Sequence, residues 1–261
     1  MVIQRPDGCG GRQLSRGSPA DAVPRANLNR AEVGCARHWH SLSYPPAMHL
    51  TTEPKPRWRG RIHLAAFVVS LPAGLALILW SQGLPAHIAA AFFAVSLAAL
   101  FGTSATYHSG NWAPHVRARL QRVDHAMIFV LIAGSYTPIT ILALQPAWGI
   151  ALLAVVWTVA VVGVTLALAQ FRVLHRVGGY LYIGMGWLVV LALPAIVQSL
   201  GGQELLLLFG GGILYTLGAV GLRLRRPNPD PLVFGYHEVW HAMTVAAAAC
   251  HFALVVMLVR A

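Results

Sequence analysis

Charged side chains are scarce in this chain of 261 residues: only 10% are Asp, Glu, Lys or Arg, whereas 57% are hydrophobic. Soluble domains ordinarily contain about 25% charged residues, so a single soluble domain is excluded. Cysteine is also rare, and Cys9, Cys35 and Cys250 form neither a disulfide framework nor a zinc knuckle. The net charge of +11 does not indicate nucleic-acid binding, because the basic residues lie between apolar runs and not on one polar face.

The beginning of the chain differs from the rest. Residues 1–57 are rich in Arg, Pro, Gly and Ser and contain no apolar run long enough for a signal peptide, so they are predicted to form a disordered, basic, cytoplasmic extension. Met48 precedes the basic stretch that leads into the first apolar run, and it is therefore an alternative start to Met1. Residues 58–261 are predicted to form one transmembrane domain.

Seven apolar runs follow the extension, and each has the roughly 20 residues that a helix needs to cross a bilayer. They lie at about 62–81, 87–107, 124–144, 147–169, 180–199, 204–222 and 235–259. Lipid offers no partner for backbone amides, so these runs predict an all-α integral membrane protein with a seven-helix bundle. Pro72, Pro138 and Pro194 are expected to kink their helices. A retinal protein is excluded, because the only lysine, Lys55, lies outside every span.

The basic residues predict the orientation of the bundle. Every Lys and Arg except Arg260 lies before the first span or in the second, fourth or sixth loop. Because Lys and Arg remain preferentially on the cytoplasmic side, the amino terminus is predicted to be inside and the carboxyl terminus outside. The expected location is the plasma (inner) membrane, as a multi-pass protein. Membrane lipids are the expected partners, nucleic acid is not, and the oligomeric state is left open.

Three predicted helices, distant in sequence, bring polar side chains to the cytoplasmic face. His237 and His241 are four residues apart and therefore share a helical face, from which two imidazoles can bind one zinc ion. His108, at the same end of the second helix, is the predicted third ligand, which leaves a fourth position for water. Asp230 followed by Pro231 is the expected N-cap of the seventh helix.

Asp124 and Ser104 complete the predicted site. A carboxylate at Asp124 could orient a zinc-bound water and accept its proton, and Ser104, one turn from His108, could hydrogen-bond to the water, a ligand or the substrate. The alternative for Asp124 is an ion pair with Arg122 or a cap on the third helix. His251 is expected to be a packing or proton-relay residue on a different helical face. Interfacial positions are expected for the single histidines His63, His87, His115 and His175.

Residues 237–241 also spell H-E-x-x-H, the zincin motif in which the glutamate, here Glu238, is the general base. No Asp or Glu follows Glu238, so a downstream acidic ligand is absent and an ordinary zinc protease is disfavoured. The motif alone is compatible with zinc and does not establish proteolysis.

Several segments together resemble the haemolysin III family, the bacterial branch of the progestin and adipoQ receptors, which include the adiponectin receptors. They are TSATYHS at 103–109, RVDHAMIF at 122–129, AGSYTP at 133–138, YIGMGW at 182–187, GILYTLG at 212–218 and FGYHEVWH at 234–241. The resemblance covers about residues 57–259. The acidic and Asn-containing signature that often opens the first helix in the family is missing, and only His63 matches part of it.

The resemblance implies a seven-helix bundle with a zinc ion near the cytoplasmic face. The family's metal-binding histidines match His108, His237 and His241, and the aspartate that contacts the metal-bound water matches Asp124. The serine that lies one turn before the first metal-binding histidine of the family matches Ser104. The position of Glu238 is not acidic in the receptor branch, which favours Asp124 as the base and gives Glu238 a supporting role.

The sequence supports three functional hypotheses. The leading hypothesis is a zinc-dependent hydrolase of lipid amide or ester bonds. The resemblance implies this function because the wider superfamily includes alkaline ceramidases and because bacterial members are linked to membrane lipid homeostasis. The second is a non-enzymatic membrane sensor in which zinc is structural, with four protein ligands and no water. The third is a pore-forming cytolysin, which the family name implies.

Overall fold

The structure is a computed structural model that describes residues 55–169 and 180–260. Almost all of the predicted disordered extension, and the fourth-loop residues Arg172, His175 and Arg176, lie outside the described residues. Within them the chain is helical and forms no β-strand.

Seven helices are long and apolar enough to cross a membrane, which confirms the predicted spans. They are α1 (Arg61–Trp80), α2 (Gly83–Ser109), α3 (Pro114–Ala143), α4 (Pro146–Leu168), α5 (Tyr180–Ser199), α6 (Gly202–Leu224) and α7 (Tyr236–Arg260). The protein is therefore a multi-pass membrane protein.

Helix α3 begins well before its predicted apolar run. Its first residue is Pro114, whose missing N–H costs nothing at the first helical position. The following turns are polar and largely exposed, and they remain helical because Arg, Gln and Leu are good helix formers. Asp124 consequently lies within α3 and does not cap it.

The spans differ in their response to proline. Helix α1 stays α-helical through Pro72. In contrast, α3 changes to a π-helix over Ile139–Ala143 immediately after Pro138. Helix α5 passes through a 3₁₀ stretch before an α-helical segment, Leu193–Ser199, that has Pro194 in its first turn. Proline removes a helical hydrogen bond, and two of the three predicted irregularities thus coincide with a change of helix type.

Helices α2 and α3 lie at the centre of the bundle. About half of each of their most apolar windows is buried, 50% in α2 and 56% in α3, compared with 17% in α6. Gly134 of α3 packs directly on Ser96 of α2, where an added Cβ would come within 2.6 Å of the serine Cβ. Small residues let membrane helices approach closely in this way. The polar ends of α2 and α3 are thereby held side by side.

Candidate metal centre

Three histidines from two helices converge at one end of the bundle. His108 lies in the last turn of α2, whereas His237 and His241 lie one above the other in the first two turns of α7. One ring nitrogen of each histidine lies within 4.8 Å of those of the other two. His108 and His241 are buried and His237 is partly buried. The structure therefore brings together the three side chains that the sequence analysis selected as ligands.

The spacing of these nitrogens fits a bound metal ion. Nε2 of His108 and Nε2 of His237 are 3.3 Å apart. Two ligands of a tetrahedral zinc ion, each about 2.0–2.1 Å from the metal, are roughly 3.3–3.4 Å from each other. Imidazole nitrogens also suit copper, iron and nickel. The three histidines could thus hold a transition-metal ion, and their identity alone does not select which ion.

A carboxylate lies beside the histidines. Oδ2 of Asp124 is 3.9 Å from Nε2 of His108, and the Asp124 side chain is 13% exposed. Ser104, one turn before His108, lines the same cavity as Asp124. Asp124 is therefore close enough to act on a molecule that occupies the centre. The expectation that it caps a helix is wrong, because α3 begins at Pro114.

Glu238 lies outside this site. Its side chain is completely buried, one carboxylate oxygen pairs with Nε of Arg59, and the other accepts a hydrogen bond of 2.9 Å from the backbone N–H of Gly235. The residues that line the central cavity do not include Glu238. Among the sequence-predicted site residues, it is the one that the structure does not bring to the others.

The start of α7 also differs from the sequence prediction. Asp230 is not its N-cap: its carboxylate accepts backbone hydrogen bonds from Leu232 and Val233 within a separate turn. Helix α7 begins only at Tyr236. Glu238, at the third helical position, reaches back and accepts a hydrogen bond from the N–H of Gly235, the residue before the helix.

His63 is a residue of the centre that sequence reasoning missed. It was expected at the interface, but it is only 3% exposed and stacks on His241, with ring centroids 3.9 Å apart and an interplanar angle of 7°. On its other side it contacts Phe101 of α2. The predicted topology placed the start of α1 at the same membrane face, but a lone histidine has no spacing that identifies its neighbours.

A cavity of about 490 Å³ extends from the histidines into the bundle. Its walls are mostly apolar side chains, and its polar lining includes Asp124, His125 and His251. His251 follows His241 by ten residues, or roughly 15 Å along α7. The sequence analysis placed His251 on a different face from His241, and the cavity nevertheless touches both residues.

Comparison with known proteins places this arrangement in a family of membrane proteins. A family model described as "Haemolysin-III related" matches residues 51–252. The chain is 32% identical over 193 residues to "Hemolysin-3" of Bacillus cereus, covering 73% of this chain and 85% of that protein. It is 29% identical over 195 residues to "Hemolysin-3 homolog" of Bacillus subtilis (strain 168), covering 73% and 87%.

A human protein is also similar. "Monocyte to macrophage differentiation factor" of Homo sapiens is 28% identical over 178 residues, covering 63% of this chain and 68% of that protein. This likeness supports the link to the progestin and adipoQ receptor superfamily. The chain belongs to the haemolysin III family.

Proposed function

We propose that this protein is a zinc-dependent hydrolase that cleaves an amide or ester bond of a membrane lipid and takes part in membrane lipid homeostasis. The observation that carries the proposal is one continuous arrangement: three imidazoles, a neighbouring carboxylate, and a mostly apolar cavity that leads away from them. The volume of about 490 Å³ lies in the range of ordinary ligand pockets. Its apolar walls suit an acyl chain.

Each residue has a defined part in this proposal. His108, His237 and His241 would hold the metal, and zinc bound there would polarise a carbonyl group and make hydroxide available near neutral pH. Asp124 accepts the proton of the attacking water as a general base. Ser104 orients the Asp124 carboxylate. The alternation of arginine along the chain supports placing this end of the bundle at the cytoplasmic face of the inner membrane.

The experiment combines metal analysis with lipid turnover by the detergent-purified chain. We expect about one zinc ion per chain and release of fatty acid from an amide-linked or ester-linked lipid in mixed micelles. Asp124→Asn should retain the zinc and lose turnover. Zinc-loaded protein that cleaves neither class of lipid would refute the hydrolase, whereas protein that binds no zinc would refute the metal centre itself.

His63 favours a second candidate, a non-enzymatic membrane sensor with structural zinc. Neither ring nitrogen of His63 has a hydrogen-bond partner among the described residues, and the ring lies directly on His241. Rotation of the His63 ring out of this stack, together with a movement of α1, would offer a fourth imidazole and close the coordination sphere. A closed site with four protein ligands is typical of structural zinc. X-ray absorption of the zinc-loaded protein separates the candidates, since the sensor requires four histidine nitrogens and the hydrolase three.

A further inference from the structure

The six residues before α1 pack against the start of α7. This pre-helix segment, residues 55–60, makes two backbone hydrogen bonds to the loop that leads into α7. The N–H of Arg57 donates to the carbonyl of Leu232 at 3.0 Å, and the N–H of Trp58 donates to that of Val233 at 3.2 Å. The segment is therefore attached to the loop that positions the first turn of α7.

The same segment touches the end of α2. Gly60 has a φ of +81°, and a Cβ there would come within 2.9 Å of the backbone nitrogen of Ser109. Only glycine fits this backbone conformation and this close approach without strain. Because Ser109 follows His108, the pre-helix segment contacts both helix ends that supply the three histidines.

A buried ion pair links this segment to the histidines of α7. Glu238 is fully buried, and the Arg59 side chain that pairs with it is 22% exposed. Glu238 directly follows His237 and precedes His241 by three residues. Since an ideal helix turns by about 100° per residue, a fixed Glu238 side chain also fixes the rotation of both histidines about the axis of α7.

The ion pair also sets the charge around the centre. Arg59 lies within electrostatic range of His108, His237 and His241. Its positive charge opposes the binding of a divalent cation, and Glu238 neutralises it. Removal of Glu238 alone would leave an uncompensated arginine beside the metal, whereas removal of both side chains would remove that positive charge together with its partner.

We propose that the Arg59–Glu238 pair is a positioning device that sets the metal affinity of the histidine centre from outside its cavity. The inference rests on the proposed metal-dependent function. Arg59 and Glu238 act through the orientation of α7 and through their charge, and neither contacts the metal or the substrate. The glutamate of the H-E-x-x-H motif thereby has a role other than that of a general base.

The test is a double-mutant cycle on the zinc affinity of the full-length, detergent-purified protein, measured by competition with a chromophoric chelator. We expect Glu238→Gln to weaken zinc binding by about 10- to 100-fold, the usual effect of losing a group that supports metal ligands. Arg59→Met should weaken it less, because the loss of the ion pair that holds Glu238 is partly offset by the loss of a positive charge that repels the metal. The double variant should bind zinc more tightly than Glu238→Gln alone, because the uncompensated arginine is gone. Arg59→Lys, which keeps the charge, should remain near the wild type.

Arg57→Met is the matched control, since Arg57 is exposed on the same segment and does not contact Glu238. Wild-type zinc affinity in Glu238→Gln would overturn the proposal. So would a double variant that binds zinc no better than Glu238→Gln, because a merely structural pair gives no such recovery. Should Glu238→Gln fail to fold, the partly exposed Arg59 decides: equal zinc affinities of Arg59→Met and Arg57→Met overturn the proposal, and a selective loss in Arg59→Met supports it.

A failure of the positioning role can be distinguished from a failure of the proposed function. A wild-type protein that binds no zinc overturns both the metal centre and the positioning role. A wild-type protein that binds zinc but cleaves no lipid overturns the hydrolase alone, and the zinc affinities of the four variants still decide the role of the pair.

Discussion

Helix α7 carries histidines at two depths, and their surroundings differ. At its first turns, His237 and His241 meet the imidazole of His108 from α2, which in turn lies beside the carboxylate of Asp124 from α3. In the middle of the span, Nε2 of His251 lies 3.2 Å from the carbonyl oxygen of Leu208, and no cluster of three potential ligands forms around it within the described chain. A histidine inside the bundle therefore becomes a candidate ligand through convergence with side chains from other helices, and a place inside the bundle alone is not sufficient.

The largest effect on zinc content and lipid turnover is expected from substitution of the predicted metal ligands. His108→Ala combined with His237→Ala removes two of the three imidazoles, so zinc content should fall from about one ion per chain to near zero, and lipid turnover should be lost. Inductively coupled plasma mass spectrometry of the purified variant measures the content. His87→Ala, at the other end of α2 and exposed, is the matched control and should retain its zinc. Unchanged zinc in the double variant would contradict the assignment of the ligands.

Asp124→Asn should have the next largest effect, and on turnover only. The amide keeps the size of the side chain but cannot accept the proton, so turnover should fall by about 10²- to 10⁴-fold while zinc content is retained. A fatty-acid release assay alongside metal analysis checks both expectations. If Asp124→Asn retained full turnover and zinc-saturated Glu238→Gln lost it, Glu238 would be the base and the zincin mechanism would be favoured.

A smaller effect is expected at His63. Its ring packs flat on His241, so His63→Ala should weaken zinc binding by roughly 10-fold, at the low end of the effects of residues that orient ligands. His63→Phe retains an aromatic ring and should bind zinc nearly as tightly as the wild type. Chelator competition measures both affinities. A complete loss of zinc in His63→Phe would instead make His63 a ligand and favour the sensor.

The smallest effect on the metal is expected in the middle of α7. His251→Leu removes one hydrogen bond to a helical carbonyl, so it should cost about 1 kcal/mol of unfolding free energy and leave zinc content unchanged. Thermal unfolding in detergent and metal analysis test the two parts. Loss of zinc from folded His251→Leu protein would contradict the expectation that only the histidines in the first turns of α7 take part in metal binding.

Much of the fold could be predicted because lipid imposes a simple rule on sequence. A run of apolar residues of sufficient length must form a helix that satisfies its own backbone, so all seven spans were found. The start of α3 was missed, since its polar first turns follow helix propensity and not hydrophobicity. The orientation of the bundle remains a prediction from the arginines.

The candidate site was predicted in part, for a related reason. Residues four apart on one helix share a face, so the pair His237 and His241 could be recognised from spacing. Their convergence with His108 depended on matching the depths of helices within the bundle and on the family resemblance. His63 had no spacing that identifies its neighbours, and the family signature that it partly matches is otherwise missing, so it was assigned to the interface.

The sequence by itself determined the membrane-spanning class, the seven helices and the set of histidines available at one end of the bundle, because hydrophobic length and helical periodicity are local properties. Only the tertiary structure decided that Glu238 pairs with Arg59, that His63 stacks on His241 and that Asp124 lies beside His108. Those contacts join residues of different helices and of the segment before α1. Their side chains meet only when the helices pack at a particular rotation and depth, which no local pattern specifies.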